Sequence, residues 1–234
     1  MKNIIVIGAH PDDETLGAGG TLLHHKSLGD KIYWINATQI NEESGHTVDQ
    51  IKKRDLQIEK VIKSYGFEKF SQLNFITTQL NSSSLIKLIP QISNIFKEIK
   101  PEIIYTINRS DAHSDHRILF EAVYSNTKSF RHPYIKKVLM YECLSETEFS
   151  PSLPERIFIP NYFVDVSEFL DKKIEIMKIF ESEIGVHPFP RSEKNIRALA
   201  SFRGAIAGVK SAEAFHALKI ILKCISLERI VNHH

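Results

Sequence analysis

The sequence contains little cysteine and no long apolar run. Its two cysteines, Cys143 and Cys224, lack CxxC spacing, so neither a disulfide framework nor a thiolate zinc site is predicted. No apolar stretch approaches the length of a membrane span. A short apolar stretch near the start runs directly into a charged motif without the small-residue cleavage site of a signal peptide. We therefore expect a protein of the reducing cytoplasm.

An excess of charge of either sign is also missing. Thirty basic and twenty-eight acidic side chains give a net charge of +2, and the lysines and arginines are scattered along the chain. Such a balance gives no reason to expect a nucleic-acid or membrane partner. With 234 residues, 42% of them hydrophobic, the chain can build one large core. Residues 1–234 are accordingly predicted to form a single domain.

The apolar segments alternate between strand-like runs and helix-like periods. Ile4–Ile7 is a short β-branched run typical of a buried strand, and Lys31–Thr38 and Ile103–Ile107 are read as further strands. A capping box beginning at Thr47 opens a helix that Gly66 closes. Strands alternating with helices predict an α/β fold with a parallel sheet.

The carboxyl-terminal third carries weaker signals. We predict strands over 137–142 and 158–166, and helices over 167–180 and 192–204. The tail over 211–227 is apolar enough for either state and is predicted to be helical.

Two dense polar clusters follow two of the predicted strands. Ala9–Glu14 places one histidine and three carboxylates directly after the first strand, and Asn108–His116 follows the strand at 103–107. The carboxyl ends of parallel strands lie at the same edge of a sheet. The two clusters, far apart in sequence, are therefore expected to share one site.

The clusters contain a donor set suited to a metal. His10 and Asp13 are three residues apart on a turn that enters a helix, and His116 would complete a set of two imidazoles and one carboxylate. Three protein ligands with the fourth position left to water are the arrangement of a catalytic zinc site. Water bound at such a site loses a proton near pH ~7 and becomes a nucleophile.

Neighbouring residues could supply the remaining chemistry. Asp12 cannot usefully bind the same ion from that turn, so its carboxylate is free to take a proton from water. Asp115, two residues from His113, could orient that imidazole and favour its charged form, which would stabilise an oxyanion and protonate a leaving amine. In the alternative reading, Asp12 and Asp13 only cap a helix and His10 is a surface turn residue.

Other charged residues near the clusters are read as structural. Glu14 is interpreted as a first-turn residue or a hydrogen-bond acceptor behind the ligands, and Asp111 as a loop-shaping residue. Structural ion pairs are expected for Arg191, Arg203 and Glu213.

Together, the two clusters resemble the signature motifs of a known family. Ala9-His10-Pro11-Asp12-Asp13-Glu14 and His113-Ser114-Asp115-His116 are similar to the paired AHPDDE and HxDH motifs of the LmbE-like, or phosphatidylinositol-glycan class L, zinc de-N-acetylases. Segments at 190–192, 202–204 and 212–215 extend the likeness over most of the chain. The resemblance implies a Rossmann-like sandwich and hydrolysis of the N-acetyl group of an amino sugar, with release of acetate.

The resemblance also implies roles for individual residues. The implied Zn²⁺ ligands are His10, Asp13 and His116, and the implied catalytic residues are Asp12 as base with His113 and Asp115 as the acid or oxyanion dyad. Arg54 would contact the substrate, an N-acetylated amino-sugar conjugate, and relatives of this type often form homo-oligomers. Gln57 stands where many members have Glu, and Glu183 where many have Gln, which leaves the identity of the substrate open.

Two other classes of function stay open. Two histidines and one carboxylate also hold iron in non-haem oxygenases, which need two or three open positions for a co-substrate and oxygen. The fold could also serve as a nucleotide-binding or sugar-binding module without catalysis. Against this last reading, no GxGxxG follows the first strand.

Overall fold

The computed structural model of the protein describes residues 1–222, in which strands and helices alternate. The strands are β1 (Asn3–Gly8), β2 (Lys31–Gln39), β3 (Lys69–Ile76), β4 (Ile103–Ile107), β5 (Lys137–Tyr141), β6 (Tyr162–Asp165) and β7 (Ala212–Ile220). The helices are α1 (Asp13–Ser27), α2 (Val48–Tyr65), α3 (Leu85–Ile99), α4 (Ser114–Ser125), α5 (Leu170–Met177) and α6 (Glu193–Ala207).

The seven strands form one sheet in the order β3-β2-β1-β4-β5-β7-β6. Neighbours from β3 through β5 run parallel, whereas β7 runs antiparallel to both β5 and β6. The predicted α/β fold with a mostly parallel sheet is confirmed. From β1 the chain builds outward to β2 and β3 on one side, and then returns to place β4 on the other. Ligands of open α/β sheets bind at such a reversal, outside the carboxyl ends of the strands.

The centre of the sheet is fully apolar. Ile4–Ile7 of β1 has no exposed surface, because β2 and β4 flank it and helices cover both faces. A continuous apolar run is the pattern of a parallel strand that is buried on both faces. None of the helices in residues 1–222 combines the length and apolar character needed to span a bilayer.

The helix predicted over 211–227 is wrong for its described part. Residues 212–220 form β7, which pairs with β5 and β6 and buries Ala212, Ala214 and Phe215. Alanine, leucine, glutamate and lysine favour a helix locally, but pairing with two strands and burial of side chains outweigh that preference. Residues 223–227 of the prediction lie outside the described residues.

Element boundaries matter most where the polar clusters lie. The predicted capping box at Thr47 is present, with Gly66 closing α2 in a left-handed conformation. Helix α1 begins at Asp13, and α4 begins at Ser114, ahead of the amphipathic segment that starts at Ile118. Both polar clusters therefore extend into the first turn of a helix, where backbone N–H groups have no partner within the helix.

Helix α1 packs very closely on the sheet at Gly17. A Cβ atom on Gly17 would lie 2.0 Å from Cδ2 of Tyr141. The tyrosine ring has no room to move, since it is fully buried and its hydroxyl donates a 2.8 Å hydrogen bond to the carbonyl of Ile7. This contact sets the distance between the start of α1 and the strand ends.

We expect Gly17→Ala to lower the free energy of unfolding by about 1–3 kcal/mol, because the added methyl group overpacks a fixed ring. The loss should appear even though alanine gains about 1 kcal/mol over glycine in a helix interior. Urea unfolding measures the difference, with Ser27→Ala on the exposed end of the same helix as the control. Unchanged stability of the Gly17 variant would contradict the packing argument.

Candidate active site

A cleft of about 690 Å³ opens at the carboxyl ends of the central strands. The residues after β1 form its floor, those after β2 and β4 form its sides, and one face of α2 forms its outer wall. The site residues predicted from the sequence that line this cleft are His10, Asp12, Asp13, Arg54, His113 and His116. The clusters expected to share one site are adjacent in the structure.

The three candidate ligands converge on one point. One donor atom from each of His10, Asp13 and His116 lies within 4.8 Å of the others. Nε2 of His116 is 3.4 Å from Oδ1 of Asp13, and Nδ1 of His10 is 3.9 Å from Oδ2 of the same carboxylate. Asp13 is thus the residue that both histidines face.

Local backbone geometry holds Asp13 in place. Its Oδ2 accepts the backbone N–H groups of Ala9 at 2.8 Å and of His10 at 2.9 Å, so the turn after β1 folds onto the carboxylate. A Cβ atom on Gly8 would lie 2.9 Å from Cβ of Asp13. The glycine at this position therefore allows the close turn.

Each candidate histidine ligand is hydrogen-bonded through its other ring nitrogen. Nε2 of His10 lies 3.1 Å from Oδ2 of Asp115, and Nδ1 of His116 lies 2.8 Å from Oδ2 of Asp111. A carboxylate on one nitrogen fixes the tautomer and directs the lone pair of the other nitrogen toward a metal. Sequence reasoning read Asp111 only as a loop-shaping residue and so missed this contact.

The expected pairing of His113 with the Asp115 carboxylate needs correction. Oδ2 of Asp115 lies 4.0 Å from Nδ1 of His113, beyond hydrogen-bond distance. The carboxylate accepts the backbone N–H groups of Thr78 and Leu80 and contacts His10. The reason is local, because His113 is the N-cap of α4 and its Nδ1 accepts the backbone N–H of Asp115 at 3.1 Å.

This geometry makes His113 a neutral hydrogen-bond donor. Because Nδ1 accepts a hydrogen bond, Nε2 carries the proton of the neutral ring. Burial and the nearby His10 lower the pKa of His113 to about 4, although the charge of Asp115 opposes this shift. The charged form that the sequence reading favoured is thus disfavoured at neutral pH.

Asp12 occupies a strained position in the turn. Its φ angle is +143°, a value rare for a residue with a side chain. The backbone N–H of Asp12 is held by Oε2 of Glu14 at 3.1 Å, and its own Oδ2 lies 3.8 Å from Nη1 of Arg191. Burial and the adjacent Asp13 raise the pKa of Asp12 well above its usual range. A raised pKa suits a group that must accept a proton near neutral pH.

The loop that follows β5 also supports the site, and sequence reasoning missed it. Sγ of Cys143 lies 3.5 Å from Oδ1 of Asp13, and Oγ1 of Thr147 donates a 2.7 Å hydrogen bond to Asp111. Glu146 lines the cleft and accepts the backbone N–H of His113 at 3.0 Å. The available signal was positional, since this loop directly follows the strand predicted over 137–142.

Arg54 lines the cleft, but its guanidinium group is bound to the protein. Nη1 of Arg54 donates to the carbonyl of Pro11 at 3.1 Å, and Nη2 contacts the carboxylate of Glu183. The structural ion pairs expected for Arg203 and Glu213 are present, with Glu142 and Lys173 as their respective partners.

The chemistry of the site fits a divalent cation. The carboxylates gathered here are almost completely buried, with exposed fractions of 0–4% for Asp12, Asp13, Glu14, Asp111 and Asp115. Burial lowers the pKa of His116, but Asp13 and Asp111 outweigh it and raise that pKa well above its usual value. Buried carboxylates need a positive partner, and nitrogen and oxygen donors of this kind suit Zn²⁺ or a similar ion.

Comparison with known proteins identifies the family of this chain. Residues 5–126, about half of the chain, match the profile of the PIG-L family, described as GlcNAc-PI de-N-acetylase. The chain belongs to this family. A diacetylchitobiose deacetylase from Thermococcus kodakarensis is 25% identical over 228 residues, which cover 91% of this chain and 82% of that protein.

Solved structures share the fold at low sequence identity. The N,N'-diacetylchitobiose deacetylase of Pyrococcus horikoshii superposes with a TM-score of 0.72 at 22% identity, over 93% of this chain and 84% of that one. A 4-carboxy-2-hydroxymuconate hydratase from Pseudomonas putida superposes with a TM-score of 0.66 at 16% identity, over 96% of this chain and 99% of that one. Because one fold serves different reactions, the reaction must be argued from the site.

We expect Asp111→Asn to weaken metal binding by about 10–100-fold, because His116 loses the carboxylate that fixes its tautomer. Competition titration of Zn²⁺ or Co²⁺ against a chromophoric chelator measures the affinity. Asp171→Asn is the control, since Asp171 lies on α5, away from the cleft, and pairs with Arg197 at the surface. Equal affinities of the two variants would contradict a supporting role for Asp111.

Proposed function

We propose that the protein is a zinc-dependent amide hydrolase that removes the N-acetyl group from an N-acetyl amino-sugar conjugate of the N-acetylglucosamine type. The products are acetate and a free amine. The observation that carries the proposal is the convergence of His10, Asp13 and His116 beside the strained Asp12. Membership of the PIG-L family and the likeness to a diacetylchitobiose deacetylase support the same reaction.

His10, Asp13 and His116 would hold the metal. Asp115 and Asp111 would orient the rings of His10 and His116 through their other ring nitrogens. When bound, Zn²⁺ supplies Lewis acidity and lowers the pKa of a coordinated water. Three protein donors at the base of an open cleft match a catalytic zinc site, because a closed structural site has four protein ligands. Of the three candidate ligands, His10 is the most exposed to the cleft, with 21% of its side chain accessible.

The chain's own groups then move the protons. Asp12 takes a proton from the attacking water as the water oxygen bonds to the amide carbon. Nε2–H of His113 can donate a hydrogen bond to the carbonyl oxygen as negative charge develops there. The C–N bond breaks as Asp12 returns the proton to the departing amine. This assignment gives Asp12 both proton transfers and gives His113 the oxyanion, because His113 is held as a neutral donor.

The size of the cleft is compatible with a sugar conjugate. A volume of about 690 Å³ lies inside the range of roughly 300–1,000 Å³ that small-molecule sites occupy. Glu146 and Arg191, which line it near the candidate metal ligands, offer an acceptor and a donor for sugar hydroxyls.

We expect Asp12→Asn to retain zinc and to lower kcat by about 10²–10⁴-fold, the usual contribution of a general base. Amine release from N-acetylglucosamine conjugates measures turnover, and elemental analysis measures the bound metal. Asp171→Asn serves again as a surface control. Near-normal turnover in a metal-replete Asp12 variant would refute the role of base.

We also expect removal of the metal by a chelator to abolish amine release, and added Zn²⁺ to restore it, because the carboxylates and imidazoles left in the site cannot lower the pKa of water as a divalent cation does. Exclusion of oxygen should leave the rate unchanged. A requirement for oxygen together with iron would favour the oxygenase alternative, and full activity of metal-free protein would overturn the proposed mechanism.

A further inference from the structure

We propose that Glu183 sets the charge selectivity of the cleft, so that the preferred conjugate carries an uncharged, partly apolar aglycone rather than an anionic one. The aglycone is the group attached to the sugar. This inference rests on the proposed function and names the class of substrate for the same site.

Glu183 pairs with both arginines of the cleft. Its Oε1 contacts Nη2 of Arg54, and its Oε2 lies 3.0 Å from Nη2 of Arg191. The backbone carbonyl of Glu183 also accepts Nε of Arg191 at 2.8 Å. Arg54 and Arg191 are the fully charged cations among the described residues that line this cleft, alongside four histidines. Each of these two charges is therefore paired before any substrate arrives.

The arrangement around Glu183 is compact. The side chains of Arg54, Glu183 and Arg191 are only 15%, 22% and 20% exposed. Ser182 donates a 2.7 Å hydrogen bond to Oε1 of Glu183, and Arg54 lies over the ring of Phe180. Partly buried pairs of this kind are less screened than surface pairs. An anion that sought either guanidinium would have to compete with a carboxylate already in place.

The outer part of the cleft offers no compensating positive charge from a lysine or arginine among the described residues. Its apolar wall is formed by α2 and β3, with the side chains of Ile51, Ile58, Ile62 and Phe70. Between them α2 also presents Asp55 and Glu59, which are exposed carboxylates.

The lining holds more acidic than basic side chains. Six carboxyl groups and two guanidinium groups line the cleft, and the exposed Asp55 and Glu59 are among the carboxyl groups. An anionic aglycone placed along α2 would be repelled by Asp55 and Glu59. A neutral aglycone with an apolar face would instead cover Ile62 and Phe70, which are half-buried and packed on the core.

The test uses two aglycones of the same shape and different charge. The p-carbamoylphenyl and p-carboxyphenyl β-glycosides of N-acetylglucosamine differ in one neutral amide against one carboxylate. We expect kcat/KM of the wild-type metal-replete enzyme to be about tenfold or more higher for the neutral glycoside. The reason is the partly screened repulsion between one carboxylate on the aglycone and the acidic side chains of the cleft.

Glu183→Gln keeps the shape of the side chain and removes its charge. We expect the preference for the neutral glycoside to fall by about tenfold in this variant, because Arg54 loses its carboxylate partner and Arg191 keeps only the more distant Asp12. Glu181→Gln is the matched control, because Glu181 lies two residues away, pairs with Lys53 at the surface and is 67% exposed. The ratio of the two kcat/KM values does not depend on the fraction of folded protein.

The outcomes separate this inference from the proposed function. Turnover of the neutral glycoside, with a preference that falls in Glu183→Gln but not in Glu181→Gln, supports the inference. Equal turnover of both glycosides by the wild type, or an unchanged preference in Glu183→Gln, overturns it and leaves the hydrolase intact. If the metal-replete wild type releases amine from neither glycoside, both the proposed function and the inference that rests on it are refuted.

Discussion

The structure depends on a concentration of buried carboxylates where β1 and β4 end. Asp12, Asp13, Asp111 and Asp115 are nearly inaccessible to solvent, and each is held by hydrogen bonds or nearby cations that the neighbouring loops supply. Negative groups this close together repel one another and lose their hydration. Backbone N–H groups and imidazoles stabilise these carboxylates in part, and a divalent cation bound among them would offset more of their charge.

The fold assembles this centre from separate elements. Asp13 stands in the first turn of α1, His116 in the first turn of α4, and supporting contacts come from the loop after β5. The parallel order of β1, β4 and β5 brings their carboxyl ends to one edge. The close approach of α1 at Gly17 then fixes the height of Asp13 above the sheet. Packing about one helical turn beyond Asp13 therefore contributes to the geometry of the site.

The fold alone does not determine the reaction. A hydratase and a deacetylase share this architecture at low sequence identity. What distinguishes this chain is the combination of a converging donor set, a strained aspartate beside it and a neutral histidine donor opposite. The same reasoning applies to the substrate, because Glu183 changes the charge offered by Arg54 without altering the scaffold.

The sequence by itself determined the mostly parallel α/β class, the two polar clusters and the meeting of His10, Asp13 and His116, because short-range patterns and the shared edge of a parallel sheet suffice for these. Tertiary structure alone decided that Asp115 supports His10 rather than His113, that Asp111 holds His116, and that residues 212–220 form a strand. Such contacts join residues distant in the chain, and local propensity carries no information about which partners long-range packing provides.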